Sequence, residues 1–85
     1  MLYTIRANHK VYEVSEHAVE RMNERGISEE MVITTLEHGT LFLQYHGVDR
    51  YEKEFVDEDS VRIIQVAVNE NYRIVVSVID DSEAR

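Results

Sequence analysis

Cysteine, proline and tryptophan are absent from this 85-residue chain, and glycine occurs only three times. Without cysteine there is no disulfide framework and no thiolate metal cluster. Without proline, and with so little glycine, there is no flexible or polyproline linker, and no repeat or low-complexity segment is visible. No apolar run approaches the roughly 20 residues that cross a bilayer, so no membrane partner is expected. The opening "MLYTIRANHK" lacks the basic-then-apolar order of a signal peptide, which makes a cytoplasmic location the default. Basic charge is also scarce. Nine Lys and Arg stand against 17 Asp and Glu, a net charge of −8. The deficit is central: residues 29–60 carry nine acidic and two basic groups, whereas residues 1–28 carry four of each. Nonspecific nucleic-acid binding is driven by Lys and Arg, so such a chain is a poor trap for phosphate backbones.

What remains is an ordinary globular composition, 44% hydrophobic and 31% charged. A chain of this size buries roughly 60–65% of its unfolded surface, enough for one domain spanning 1–85. "LYTIRA" and "KVYEVS" are β-prone runs separated by "NH", a tight-turn candidate. Ser15 then serves as an N-cap, with Val14 and Val19 as a hydrophobic staple and Gly26 as a left-handed stop. The pattern repeats immediately. Ser28 caps, Ile27 and Val32 staple, Glu29 and Glu30 sit in the positive first turn, and Gly39 closes the helix. Two helices are expected, over about 16–25 and 29–38.

Beyond Gly39 the period changes from helical to alternating. "LFLQYH", "RYEKEFV", "SVRIIQVAV" and "YRIVVSVI" read as strands, separated by "GVD", "DED" and "NEN". The last two runs are apolar on both faces and belong at the sheet centre. "DDSEAR" is expected to be a frayed tail. The fold class is α+β: a short N-terminal β-hairpin or strand, then two helices on one face of a mainly antiparallel meander of four or slightly more strands.

On the first helix, His17, Arg21 and Arg25 recur at steps of four. With about 100° per residue and His17 at 0°, the two arginines lie near 40° and 80°, beside Ala18 and Met22 at about 100° and 140°. Glu16, Glu20 and Glu24 run along the other flank, at roughly 260° to 340°. The basic stripe therefore borders the buried face. Its arginines could lay their methylenes over the core and hold their heads in water. Arg21 can also meet Glu24 three positions on. Two stripes of like charge are slightly unfavourable in isolation, which points the basic one toward an outside partner.

Other constellations carry less. His9, His17, His38 and His46 form no standard ligand spacing, so no metal site and no cofactor are expected. Asp57, Glu58 and Asp59 lack the calcium-loop spacing and its glycine, and read as a solvated turn. Neither a nucleotide-binding glycine loop nor a nucleophile elbow occurs.

The segment "SEHAVERMNERGISEEMVITTLEHG" resembles the start of a small, largely uncharacterised bacterial domain family. That family in turn looks like part of the RelE/ParE-type toxin group and its colicin and EndoU relatives. The close resemblance covers about 25 residues; beyond them only the strand order is similar. It implies metal-independent RNA cleavage, in which a ribose 2′-hydroxyl attacks the adjacent phosphate under general acid–base catalysis. On that resemblance His17 is the acid or base, and Arg21 and Arg25 clamp phosphate. Fold analogy and residue type add Arg50, Tyr51, Arg62, Tyr72 and Arg73 as RNA-binding candidates on the sheet. RelE-type toxins are generally basic, and this chain departs from them there. Three readings stay open: an RNase-toxin-like domain held by an antitoxin, a non-catalytic module whose acidic face meets a basic partner protein, and a homodimer formed through a strand edge or the apolar "LFLQY" strand.

Overall fold

The computed structural model describes residues 3–81, the side chains of Leu43 and Tyr45 excepted. The elements run β1 (Tyr3–Ala7), β2 (Lys10–Val14), α1 (Glu16–Arg25), α2 (Glu29–His38), β3 (Thr40–Tyr45), β4 (Val48–Val56), β5 (Val61–Asn69) and β6 (Ile74–Asp80). Both helices fall where the capping pattern predicts. Ser15 Oγ accepts the Ala18 amide at 3.1 Å, and Ser28 Oγ accepts the Met31 amide at 3.1 Å. Gly26 adopts the left-handed stop at φ 63°.

The sheet is larger than a four-stranded meander and is mixed rather than antiparallel throughout. It has six strands in the order β1-β2-β6-β5-β4-β3. The N-terminal hairpin joins the β3–β6 meander through a parallel contact of only two residue pairs, Glu13 with Ile74 and Val14 with Val75. Alternation in a sequence marks a strand but says nothing about which distant strand it pairs with. The β2–β6 pairing therefore has no local mark in the sequence.

β5 and β6 occupy the centre, as their two-sided apolar pattern requires. Ile64, Val66 and Val68 of β5 join Val75 and Val78 of β6, Ala18 and Met22 of α1, and Val32 and Leu36 of α2 in one core cluster. Because side chains alternate along a strand, Ile63, Gln65 and Ala67 face the opposite side. They are buried as well, and the Gln65 amide donates to Glu52 at 3.1 Å. Both helices therefore cover one face.

Local details differ from the sequence reading at four places. Gly39 ends α2 in extended backbone, at φ −75° and ψ 172°, not in a left-handed cap. Space selects glycine there: a Cβ would collide with the Thr35 carbonyl oxygen and lie 2.9 Å from that of Glu52. The β3–β4 turn is His46–Gly47, both at positive φ, so Val48 and Asp49 already belong to β4. Conversely, Tyr72 and Arg73 lie in the β5–β6 turn rather than in the last strand. Asn69 Oδ1 accepts the amides of Asn71 and Tyr72 there, at 3.1 and 3.3 Å. The tail also begins later than expected. Asp80 closes β6 and the Asp81 amide donates to the Ile63 carbonyl at 2.8 Å, while 82–85 lie outside the described residues. No helix among the described residues is long and apolar enough to cross a membrane.

Candidate functional site

The start of α1 is pinned to β6 from both directions. The Ser15 amide donates to the Val75 carbonyl at 3.1 Å, and its hydroxyl donates to the Val76 carbonyl at 3.0 Å. With Ala18 and Met22 turned into the core, the helix exposes two flanks of opposite charge.

On the basic flank, His17 and Arg25 are exposed and Arg21 is half-buried. Arg21 Nη1 donates to Glu24 Oε2 at 2.6 Å, so its charge is met by the neighbouring carboxylate. The acidic flank is concave. Glu16 and Glu20 combine with Glu13 from the end of β2 around a cavity of about 570 Å³, whose other walls are Tyr3, Val14, Ser15, Val19 and Ile74. The walls are thus apolar and the rim carries three carboxylates. Burial pushes the Tyr3 phenol up, and the charge and hydrogen bonding of Glu29 add to this. His17, Arg21 and Arg25 are not among the residues that line the cavity.

The sheet candidates do not gather into one site. Arg50 and Tyr51 are consecutive on β4 and point to opposite faces; Tyr51 packs against the core on the helix side. Arg62 lies at the start of β5 and ion-pairs with Asp80 at 2.9 Å. Tyr72 and Arg73 lie at the other end of that hairpin, roughly 20–25 Å away at about 3.3 Å per residue.

Some candidates do converge, on a residue the sequence did not single out. Glu70 accepts the Tyr12 hydroxyl at 3.0 Å and pairs with Arg73 Nε at 3.7 Å and Lys10 Nζ at 3.9 Å. Burial pushes the Tyr12 phenol up to about 12, the hydrogen bond to Glu70 adding to the effect. Tyr51 is raised too, first by burial and then by the charges of Glu70 and Asp49. Tyr12 and Glu70 are 58 positions apart, and their contact depends on the β2–β6 pairing, for which the sequence holds no local signal. The acidic stripe of Glu16 and Glu20 was visible. Glu13 joins it only because the chain reverses at Ser15.

All four histidines are exposed. Among the described residues, no three or more His, Asp or Glu are placed to hold a metal ion.

A family model described as a domain of unknown function (DUF4258) matches residues 14–83. The chain belongs to this family. The match takes in both helices and β3–β6, and leaves β1 and all of β2 but Val14 outside it. In family terms the cavity is therefore composite: Tyr3 and Glu13 come from the preceding hairpin, and the other lining residues from the matched region. No curated protein and no solved structure matches the chain.

Proposed function

We propose that the chain is a non-catalytic interaction module whose α1 groove receives a basic segment of a partner protein. One observation carries this reading: the cavity has apolar walls in Val14, Val19, Ile74 and Tyr3 and a rim of Glu13, Glu16 and Glu20. That lining suits an aliphatic or aromatic side chain flanked by Lys or Arg. The surrounding charge supports it, since the net −8 of the chain attracts such a segment from a distance and speeds encounter. Arg21, the middle residue of the opposing stripe, already has Glu24 as its partner.

The test is a fluorescence titration of a short peptide, Leu or Phe flanked by Lys and Arg, against the wild type and a Glu13→Gln, Glu16→Gln, Glu20→Gln variant. Binding should weaken as salt rises, and the variant should bind at least about tenfold less tightly. Equal affinity in the two proteins would rule the groove out.

Metal-independent RNA cleavage is the second reading, and the RelE/ParE-type resemblance motivates it. Its structural support is the assembly of Lys10, Tyr12 and Arg73 around Glu70, close to Tyr51 and next to Tyr72. Growth after induced expression separates the two readings. Arrest by the wild type, relieved by His17→Ala with Arg21→Ala, supports cleavage; equal growth of both strains removes it.

A further inference from the structure

The charge distribution along the sequence leaves one long gap. No Asp, Glu, Lys or Arg occurs between Glu37 and Asp49, and this is the longest uncharged stretch in the chain. The next longest, residues 63–69, lies largely buried at the centre of the sheet. The gap at 38–48 is placed differently. It contains the whole of β3, the last strand in the sheet order, which among the described residues pairs with β4 alone.

An open edge presents a row of unpaired backbone N–H and C=O groups, and natural edge strands are normally protected by lysines, prolines, inward-pointing charges or β-bulges. β3, "TLFLQY", has no lysine, proline or charge, so a bulge is the protection left to it. Its irregularity is a shift in register against β4 between Leu41 and Leu43. Phe42 falls at that shift and is 46% exposed, beside Leu41 at 43%. Thr40 and Gln44 are exposed as well. The other edge strand, β1, carries Arg6 in its sequence.

We propose that two copies of this chain associate by antiparallel pairing of their β3 edges. Charge selects the occupant. A basic partner finds no carboxylate on β3, and a second copy, carrying −8, is repelled by most of the remaining surface. The uncharged strand is where two such molecules approach at least cost. Antiparallel pairing of identical strands is self-complementary and closes as a two-fold dimer, because each chain has one β3. The paired surface is one strand wide, at the small end of stable interfaces, so the dimer should dissociate on dilution. This proposal is independent of the groove on α1 and predicts the opposite salt response.

The deciding experiment is sedimentation equilibrium on the wild-type protein from about 5 to 500 µM, in low and high sodium chloride. The expected result is a monomer–dimer equilibrium that shifts toward dimer by about threefold or more as salt screens the mutual repulsion. Phe42→Lys should be monomeric throughout, with an unchanged melting temperature because Phe42 is half in solvent. Val11→Lys, at an exposed site on β2 (53% exposed), should dimerise like the wild type. A wild type that stays monomeric at the highest concentration overturns the proposal. So does a dimer that survives Phe42→Lys, or assembly beyond the dimer.

Discussion

Arg62 Nη2 donates to the backbone carbonyl of Arg25 at 2.8 Å. The resemblance makes Arg25 a phosphate clamp, and fold analogy makes Arg62 a separate RNA-binding candidate on the sheet. Here the guanidinium of one satisfies the helix terminus of the other. Nη1 donates to the Gly26 carbonyl at 3.1 Å, and Nε and Nη2 both reach Asp80 Oδ2, at 3.1 and 2.9 Å. Arg62 therefore neutralises the negative end of α1 and ties it to the last residue of β6.

Removing that fork should be costly. Arg62→Ala should lower stability in urea unfolding by about 2–3 kcal/mol, since it removes the paired donors to Asp80 and the donors to two helix-terminal carbonyls. Arg62→Lys should recover less than half of this, because a single ammonium cannot match the planar donor set. A lysine variant as stable as wild type would show that charge alone matters here.

Alkaline pH should loosen the sheet through Tyr12. Its phenol is raised from about 10 to about 12 by burial and by Glu70. For a group raised on folding, the stabilising contribution is complete below the unfolded pKa and lost as pH rises through the folded one. Stability should therefore fall between about pH 10 and pH 12. Tyr12→Phe should flatten this fall, while costing about 1–2 kcal/mol at neutral pH for the lost bond to a charged partner. Melting curves across that range, for both proteins, give the comparison.

The two helix-ending glycines should respond differently to alanine. Gly26→Ala places a Cβ in open space at φ 63° and should cost about 1 kcal/mol of backbone strain. Gly39→Ala has no such strain but drives a methyl into the Thr35 and Glu52 carbonyls, and should cost more than about 2 kcal/mol. Reversal of this order in a thermal unfolding series would refute the close-approach account.

The caps should likewise differ. Ser28→Ala removes one hydrogen bond and should cost about 1 kcal/mol. Ser15→Ala removes a cap and also the link from its hydroxyl to Val76, so its loss should be larger, near 2 kcal/mol. Equal losses in urea unfolding would mean that the Val76 bond contributes nothing.

Local grammar carried most of the fold. Serine caps, apolar staples and strand alternation placed both helices and all four strands after Gly39, because each is decided within a few residues. The expectations that changed depend on distant segments. Gly39 is set partly by its own helix, through Thr35, and partly by Glu52 on a strand more than ten positions away, and the six-strand arrangement depends on the meeting of Glu13 with Ile74. The candidate site divides the same way. The opposed flanks of α1 follow from helical spacing alone. The cavity needed β1 and β2 to supply Tyr3 and Glu13, and the Glu70 cluster needed the same hairpin to supply Tyr12 and Lys10.

The two-pair junction between β2 and β6 also sets an order of events in folding. Residues 3–14 are made before the meander and have no β6 to join until Ile74 and Val75 emerge, some 60 residues later. The meander and its helices can assemble around β5 in the meantime, and the N-terminal hairpin docks last. Few backbone bonds hold that hairpin to β6, so its place rests mainly on Ile5, Ala7, Tyr12 and Val14, which enter the common core. Amide exchange should show whether β1 and β2 open as a unit while β5 stays protected, and any such opening would take Tyr3 and Glu13 away from the α1 groove.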